Sequence, residues 1–343
     1  MQGLLTPKKL IIRTGLGLTV LIMVMMACAA VGTASISFRA ALEGPGEQAT
    51  VNPDYEILVN VRLPRILLAC LVGAALACAG VVFQALLRNP LADPYILGIS
   101  SGAGLGAMIA VVAGFSWTLW GRSPIAVFAF IGASGTVWLV WFVGRLTGRF
   151  HVTGLLLAGV VVNAFFSAVI MFITSIARAD KVYDTIFWLM GYMTAEDFLT
   201  LWIGAGFVLS GILALFFIAP QLNALSLGPD NAVSMGVNVK KTRLIAFLVA
   251  SAITAIAVSL SGLIGFVGLV VPHAVRLVFG PDHRQLLPLS AIVGAIFLIA
   301  TDTLARVVIA PTELPVGVVT AIVGGPVFLV LLVKYSRQVG WMK

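Results

Sequence analysis

The sequence predicts an all-α polytopic membrane protein of about ten transmembrane helices with both termini cytoplasmic. Two observations carry the class: only 10% of its 343 residues are charged while 60% are hydrophobic, and apolar runs long enough to cross a bilayer recur from one end to the other. A third, the sorting of basic residues, sets the orientation.

Pro, Gly and charge clusters mark the boundaries, and they place helices near 14–36, 63–87, 95–113, 121–144, 153–177, 197–219, 241–262, 266–279, 286–308 and 316–334. The first apolar run follows a basic residue 1–13 segment, but it is too long for a signal-peptide core and has no clear cleavage site, so it reads as a retained helix. The eighth is the shortest. This arrangement puts 14 of 21 basic and three of 13 acidic residues on the side of the termini, a balance of +11 against −3 opposite. The positive-inside rule makes that side cytoplasmic. The longest loops, 37–62 and 178–196, fall outside, and no length remains for a soluble domain, so residues 1–343 form one transmembrane domain.

Several function classes are excluded or weakened. There is no GxxxxGK[ST] phosphate loop and no HExxH. His151, His273 and His283 are scattered and read as helix-end or interfacial residues; Cys28, Cys70 and Cys78 sit in apolar segments without CxxC spacing and read as packing residues. No catalytic residue, metal site or cofactor is expected, and the net charge of +8 reflects a cytoplasmic membrane face and no nucleic acid. An ion-coupled secondary transporter is the alternative, and it needs a carboxylate at depth. Asp302 is the nearest candidate, spaced to pair with Arg306 one turn on.

Gly98, Gly102 and Gly106 repeat every four residues, which suits close helix packing better than phosphate binding, since no strand precedes them. Asn163, Ser167 and Thr174 share one face of the fifth helix; the stripe either lines an aqueous path or hydrogen-bonds between helices. In "SLGPDNAVSMGV", Pro229 suits a first helical turn and Gly236 a C-terminal cap. The result is a bounded cytoplasmic helix of two turns, too short to span and better suited to meeting another protein.

Four ordered blocks extend these readings: "RLPRILLACLVGAALACAGVVFQALLRNPLADPYILGISSGAG" (62–104), "LSLGPDNAVSMGV" (225–237), "GLIGFVGLVVPHAVRLVFGPDHRQLLP" (262–288) and "ELPVGVVTAIVGGPVF" (313–328). With them the chain resembles the FecCD-type permease subunits of ABC importers for iron-siderophores, haem and cobalamin. The resemblance implies a homodimer with the translocation path at the dimer interface, two cytoplasmic ABC ATPase subunits and an extracytoplasmic substrate-binding protein. It further implies that 226–237 forms coupling helices seated on the ATPase through Leu227, Gly228, Asp230, Met235, Gly236 and Val237. On the same basis Arg62, Arg65 and Arg306 meet acids of the binding protein on the outer face, where they are expected to be exposed. Asn89 and Leu91 match the cytoplasmic gate. Of a second constriction before the fifth helix only Thr153 is chemically similar, beside His151 and Val152.

Overall fold

The computed structural model describes residues 6–45, 52–115, 123–146 and 152–339, and every regular element in them is helical. Among these residues eight helices are long and apolar enough to cross a membrane, and two shorter apolar helices accompany them.

α1 (Pro7–Ala30) starts earlier than the charge pattern implied. Thr6 caps it and Pro7 occupies its first turn, so Lys8, Lys9 and Arg13 are helical rather than part of a preceding tail. The 37–62 stretch, expected as loop, carries the short helices α2 (Phe38–Ala41) and α3 (Pro53–Tyr55). From α3 a π-helical stretch, Glu56–Arg62, runs without interruption into α4 (Leu63–Leu87). The π turns carry the extra residues that a strict 3.6-residue repeat does not place.

α4 is the hub, 78% buried over its most apolar window, and α9, α12, α13 and α14 surround it. With lipid outside, close packing must replace the hydrophobic drive between helices, and glycines permit it. A Cβ on Gly73 would enter the Gly294 backbone, and one on Gly80 would enter that of Gly268. The next pair, α5 (Ile99–Ala113) and α6 (Pro124–Leu146), is built the same way, with Gly102 and Gly106 against Gly132 and Phe128. Gly98 departs from the expected stripe: it precedes α5 with φ +77 and ends a 3₁₀ turn, Pro94–Leu97.

α7 (Val152–Ile176) is followed by α8 (Ala179–Leu189), an amphipathic helix where a loop was expected. α9 (Phe198–Phe217) leads into α10 (Ala219–Ser226) and α11 (Pro229–Ser234). α12 (Val239–Ser261), α13 (Val267–Phe279), α14 (His283–Val307) and α15 (Val316–Val339) complete the chain.

At 1.5 Å per residue, α13 covers about 20 Å and α5 about 22 Å, short of a hydrocarbon core of about 30 Å. Each begins at a break inside the bundle. Backbone left open there must find partners within the protein. Tyr95 supplies them, its hydroxyl donating to the Ile264 carbonyl (2.9 Å) and accepting from the Ile264 N–H (3.0 Å). The break ends at Phe266, a non-glycine residue at φ +69, whose side chain packs against Gly324.

Candidate functional site: two opposite ends of the bundle

One face gathers α10, α11 and the starts of α1, α12 and α14. Within α11, Gly228 enters at φ +114, Pro229 takes the first turn, and Gly236 leaves at φ +79 while its N–H donates to the Val233 carbonyl (2.9 Å). The Val237 N–H bonds back to Ala232 (2.9 Å), closing a C-terminal cap. The bounded helix is therefore present, as six residues rather than two full turns. It rests on one buried alanine, Ala232, with Val237 half-buried beside it. Leu227 (64% exposed), Val233 (62%) and Met235 (63%) point away with Asp230. Three adjacent large apolar side chains on a polar membrane face mark a contact surface.

The surface stands on a fixed base. The Asn223 amide of α10 donates to Asp282 (2.8 Å), and its oxygen accepts from the His283 N–H (2.8 Å) and lies 2.7 Å from the His283 ring Nδ1. Asp282 caps α14 and pairs with Arg284 at 2.6 Å. Burial opposes the Asp282 charge, but the bonds from Arg284 and Asn223 prevail and hold its carboxyl down at about 2. Arg13 of α1 donates to Gln285 (2.6 Å), which joins the start of the first helix to the same face. His283 thus lies at a helix end as expected, whereas His273 is buried inside α13, against expectation.

At the opposite end the sequence placed three exposed arginines, and the structure corrects this. Arg62 is 3% exposed, and Arg65 and Arg306 are each 6% exposed. Arg62 lies on the π-helical stretch and reaches across to α1, donating to the Ala29 carbonyl (2.7 Å) and to that of Ala34; Gly32 leaves the space its guanidinium fills. Arg65 pairs with Asp302 (3.0 Å) and Glu313 (2.7 Å), and Arg306 takes the other Asp302 oxygen (3.2 Å). The i, i+4 pair is realised, but as part of a network joining α4, α14 and the segment after α14. Within the network each charge meets an opposite one, so loss of any partner would leave a buried charge uncompensated. Both oxygens of Asp302 are engaged by arginines, which removes it as a free ion-coupling carboxylate. Among the described residues no group of three or more metal-binding side chains occurs. Cys78 is buried and Cys28 and Cys70 are half-buried, all unbonded to each other.

The remaining candidates fall into two sets. Asn89 builds its own turn: its side chain accepts from the Leu91 N–H (2.9 Å), after Arg88 ends α4 in the left-handed region, and Leu91 is exposed beside it. On α7, Asn163 is exposed while Ser167 and Thr174 are half-buried, and Thr174 spends its hydroxyl on the Ile170 carbonyl (2.7 Å). The stripe is thus not one continuous free polar face. Thr153 starts α7 by its backbone, but its side chain lies outside the described residues, as does His151. Nothing in the local pattern marks Tyr95, Asn223 or Glu313, whose partners stand far away in the chain.

Comparison with known proteins agrees with this geometry. The sequence model of the FecCD transport family matches residues 19–334. The chain is 38% identical to the hemin transport system permease protein HmuU of Yersinia pestis, over 98% of this chain and 99% of that one. It is 42% identical to the cobalamin import system permease protein BtuC of Halobacterium salinarum, over 87% and 78%. Among solved structures, an inward-facing metal-chelate type ABC transporter matches with a TM-score of 0.81 and 32% identity, covering 96% of this chain and 100% of that one.

Proposed function

The chain belongs to the FecCD transport family, and on that premise we propose that it carries an iron chelate, siderophore or haem, or cobalamin inward across the membrane. It is the multi-pass inner-membrane permease subunit of an ABC importer, it hydrolyses no ATP itself, and it works with separate ATPase subunits and a binding protein. We further propose that it acts as a homodimer with the path at the interface between the two copies, and that both termini are cytoplasmic.

The observation that carries the coupling role is the α11 surface. Leu227, Val233 and Met235 project from a small helix held by Ala232 and by the Asn223–Asp282–His283 clamp. An ATPase cleft that receives α11 passes its closure through this clamp to α14, and reorients helices around the dimer axis. Gly228, Asp230, Gly236 and Val237 shape that helix. At the outer end, Glu313 is the member of the arginine network nearest solvent, its side chain 29% exposed. An acid of the binding protein would compete with it for Arg65, so docking would open the network that Arg65 and Arg306 close with Asp302, beside the Arg62 anchor on Ala29 and Ala34. Asn89 and Leu91 narrow the inner mouth and Asn163 faces the path.

The test is recovery of the tagged chain from native membranes in mild detergent. An ATPase with a phosphate-binding loop should co-purify in about equal amount and be lost when residues 228–236 become a flexible linker. A chain that comes out alone and still transports in vesicles without ATP would overturn the reading. Uptake of labelled siderophore, haem and cobalamin by the reconstituted complex then selects the solute.

A further inference from the structure

The outward side of α6 and α12 encloses a groove of about 330 Å³ that the transport reading leaves unused. Its walls include Ser134, Trp138 and Trp141 of α6, and Leu248, Ser251 and Ala252 of α12. Trp138 is 61% exposed and stacks on Phe142 with 5.3 Å between ring centres. Small side chains, Ser134, Ser251, Ala252 and Ala255, line the rest of the groove, and the buried Ser251 hydroxyl has no hydrogen-bond partner.

Charge distinguishes the two ends of this groove. Trp141 and Ser134 lie about 7 and about 18 Å along α6 from its last residue, so the Trp141 end of the groove is the one nearer the side at which α6 finishes and α12 begins. There Arg145 sits with its guanidinium 5.3 Å from the centre of the Trp141 ring. Lys241, exposed, stands two turns before Leu248 on the same face of α12. Arg145 thus stands against the Trp141 end of the groove, and Lys241 lies on α12 toward that same side, the membrane face that carries α11. An apolar slot running into the hydrocarbon from a pair of cations and an interfacial tryptophan has the layout of a lipid headgroup site with its acyl chain.

We propose that this groove binds an anionic phospholipid, its phosphate between Arg145 and Lys241 and one acyl chain along Trp138 to Ala252. The site needs the membrane placement of α6 and α12 and does not depend on the identity of the transported solute. Its position beside the entry to α12 sets the lipid one short connection from α11, so lipid charge would influence ATPase docking.

The test is native mass spectrometry of the intact complex, extracted from bilayers of phosphatidylcholine with a minority of phosphatidylglycerol. Phosphatidylglycerol should be retained in preference, and Arg145→Gln with Lys241→Gln should lower its retention about tenfold or more. Ala252→Phe, at a surface position with both cations intact, should also displace the lipid, while Arg145→Lys with Lys241→Arg should keep it. Retention indifferent to headgroup charge, or unchanged in Ala252→Phe, would overturn the proposal. So would efficient disulfide cross-linking of Trp138→Cys between two copies, which would place a second chain over this face.

Discussion

The two ends of the bundle handle polar and apolar groups in opposite ways. At one end four charged side chains pair with one another, with Asp302 only 1% exposed between two arginines, while Arg62 beside them turns inward onto the Ala29 and Ala34 carbonyls. At the other, α11 turns Leu227, Val233 and Met235 outward while its C-terminal turn is capped by backbone bonds. A closed charge network stores its interactions within one chain. An exposed apolar surface on a rigid base leaves them to a partner. The contrast predicts that damage to the first costs the fold, whereas damage to the second costs coupling.

Asp302→Ala should have the largest effect. It leaves Arg65 and Arg306 buried without their shared carboxylate, a loss of about 3–5 kcal/mol, read as early thermal unfolding of the detergent-solubilised chain. Wild-type melting would break the comparison by showing that the network is not a structural lock. Tyr95→Phe should come next, at about 1–3 kcal/mol, since the Ile264 N–H and carbonyl lose the hydroxyl that bridges them within the bundle. Both variants act on stability.

At the α11 end, Met235→Glu with Val233→Glu should leave melting unchanged and lower solute import per ATP about tenfold, the equivalent of about 1.4 kcal/mol of docking energy. A melting loss comparable to that of Asp302→Ala would erase the distinction between the ends. Asp282→Asn should cost about 1 kcal/mol or less, since asparagine keeps the helix cap and only the charge that Arg284 and Asn223 meet is lost. The pH dependence sharpens this: the Asp282 carboxyl is held at about 2 against a free value of 3.8, so its stabilisation is fully present above about pH 4 and fades as pH falls toward 2. Acid titration of the wild type should show this loss and that of Asp282→Asn should not. Thr174→Val, which removes only a bond to its own helix, should stay within about 0.5 kcal/mol.

Particular elements show what was legible beforehand. α4 and α14 are read correctly because their apolar runs are long and end at Arg, Pro or Asp, and α11 because Pro229 and Gly236 encode its limits locally. The arginines were misplaced because their burial depends on partners remote in sequence: Asp302 lies 237 residues from Arg65. The same distance effect hid Tyr95, 169 residues from Ile264. The stretch 53–62 looked like loop because its polar residues obscure a π-helical repeat. α8 was missed because it is amphipathic and short, without the length that marks a spanning helix.

The central claim is that α11 is the surface through which the ATPase acts, and cross-linking from single positions tests it most directly. A photoreactive side chain at Met235 should cross-link to the ATPase subunit in the assembled complex, while one at Val308, exposed at the opposite end, should not. An active complex in which the Met235 probe never captures the ATPase would contradict the account.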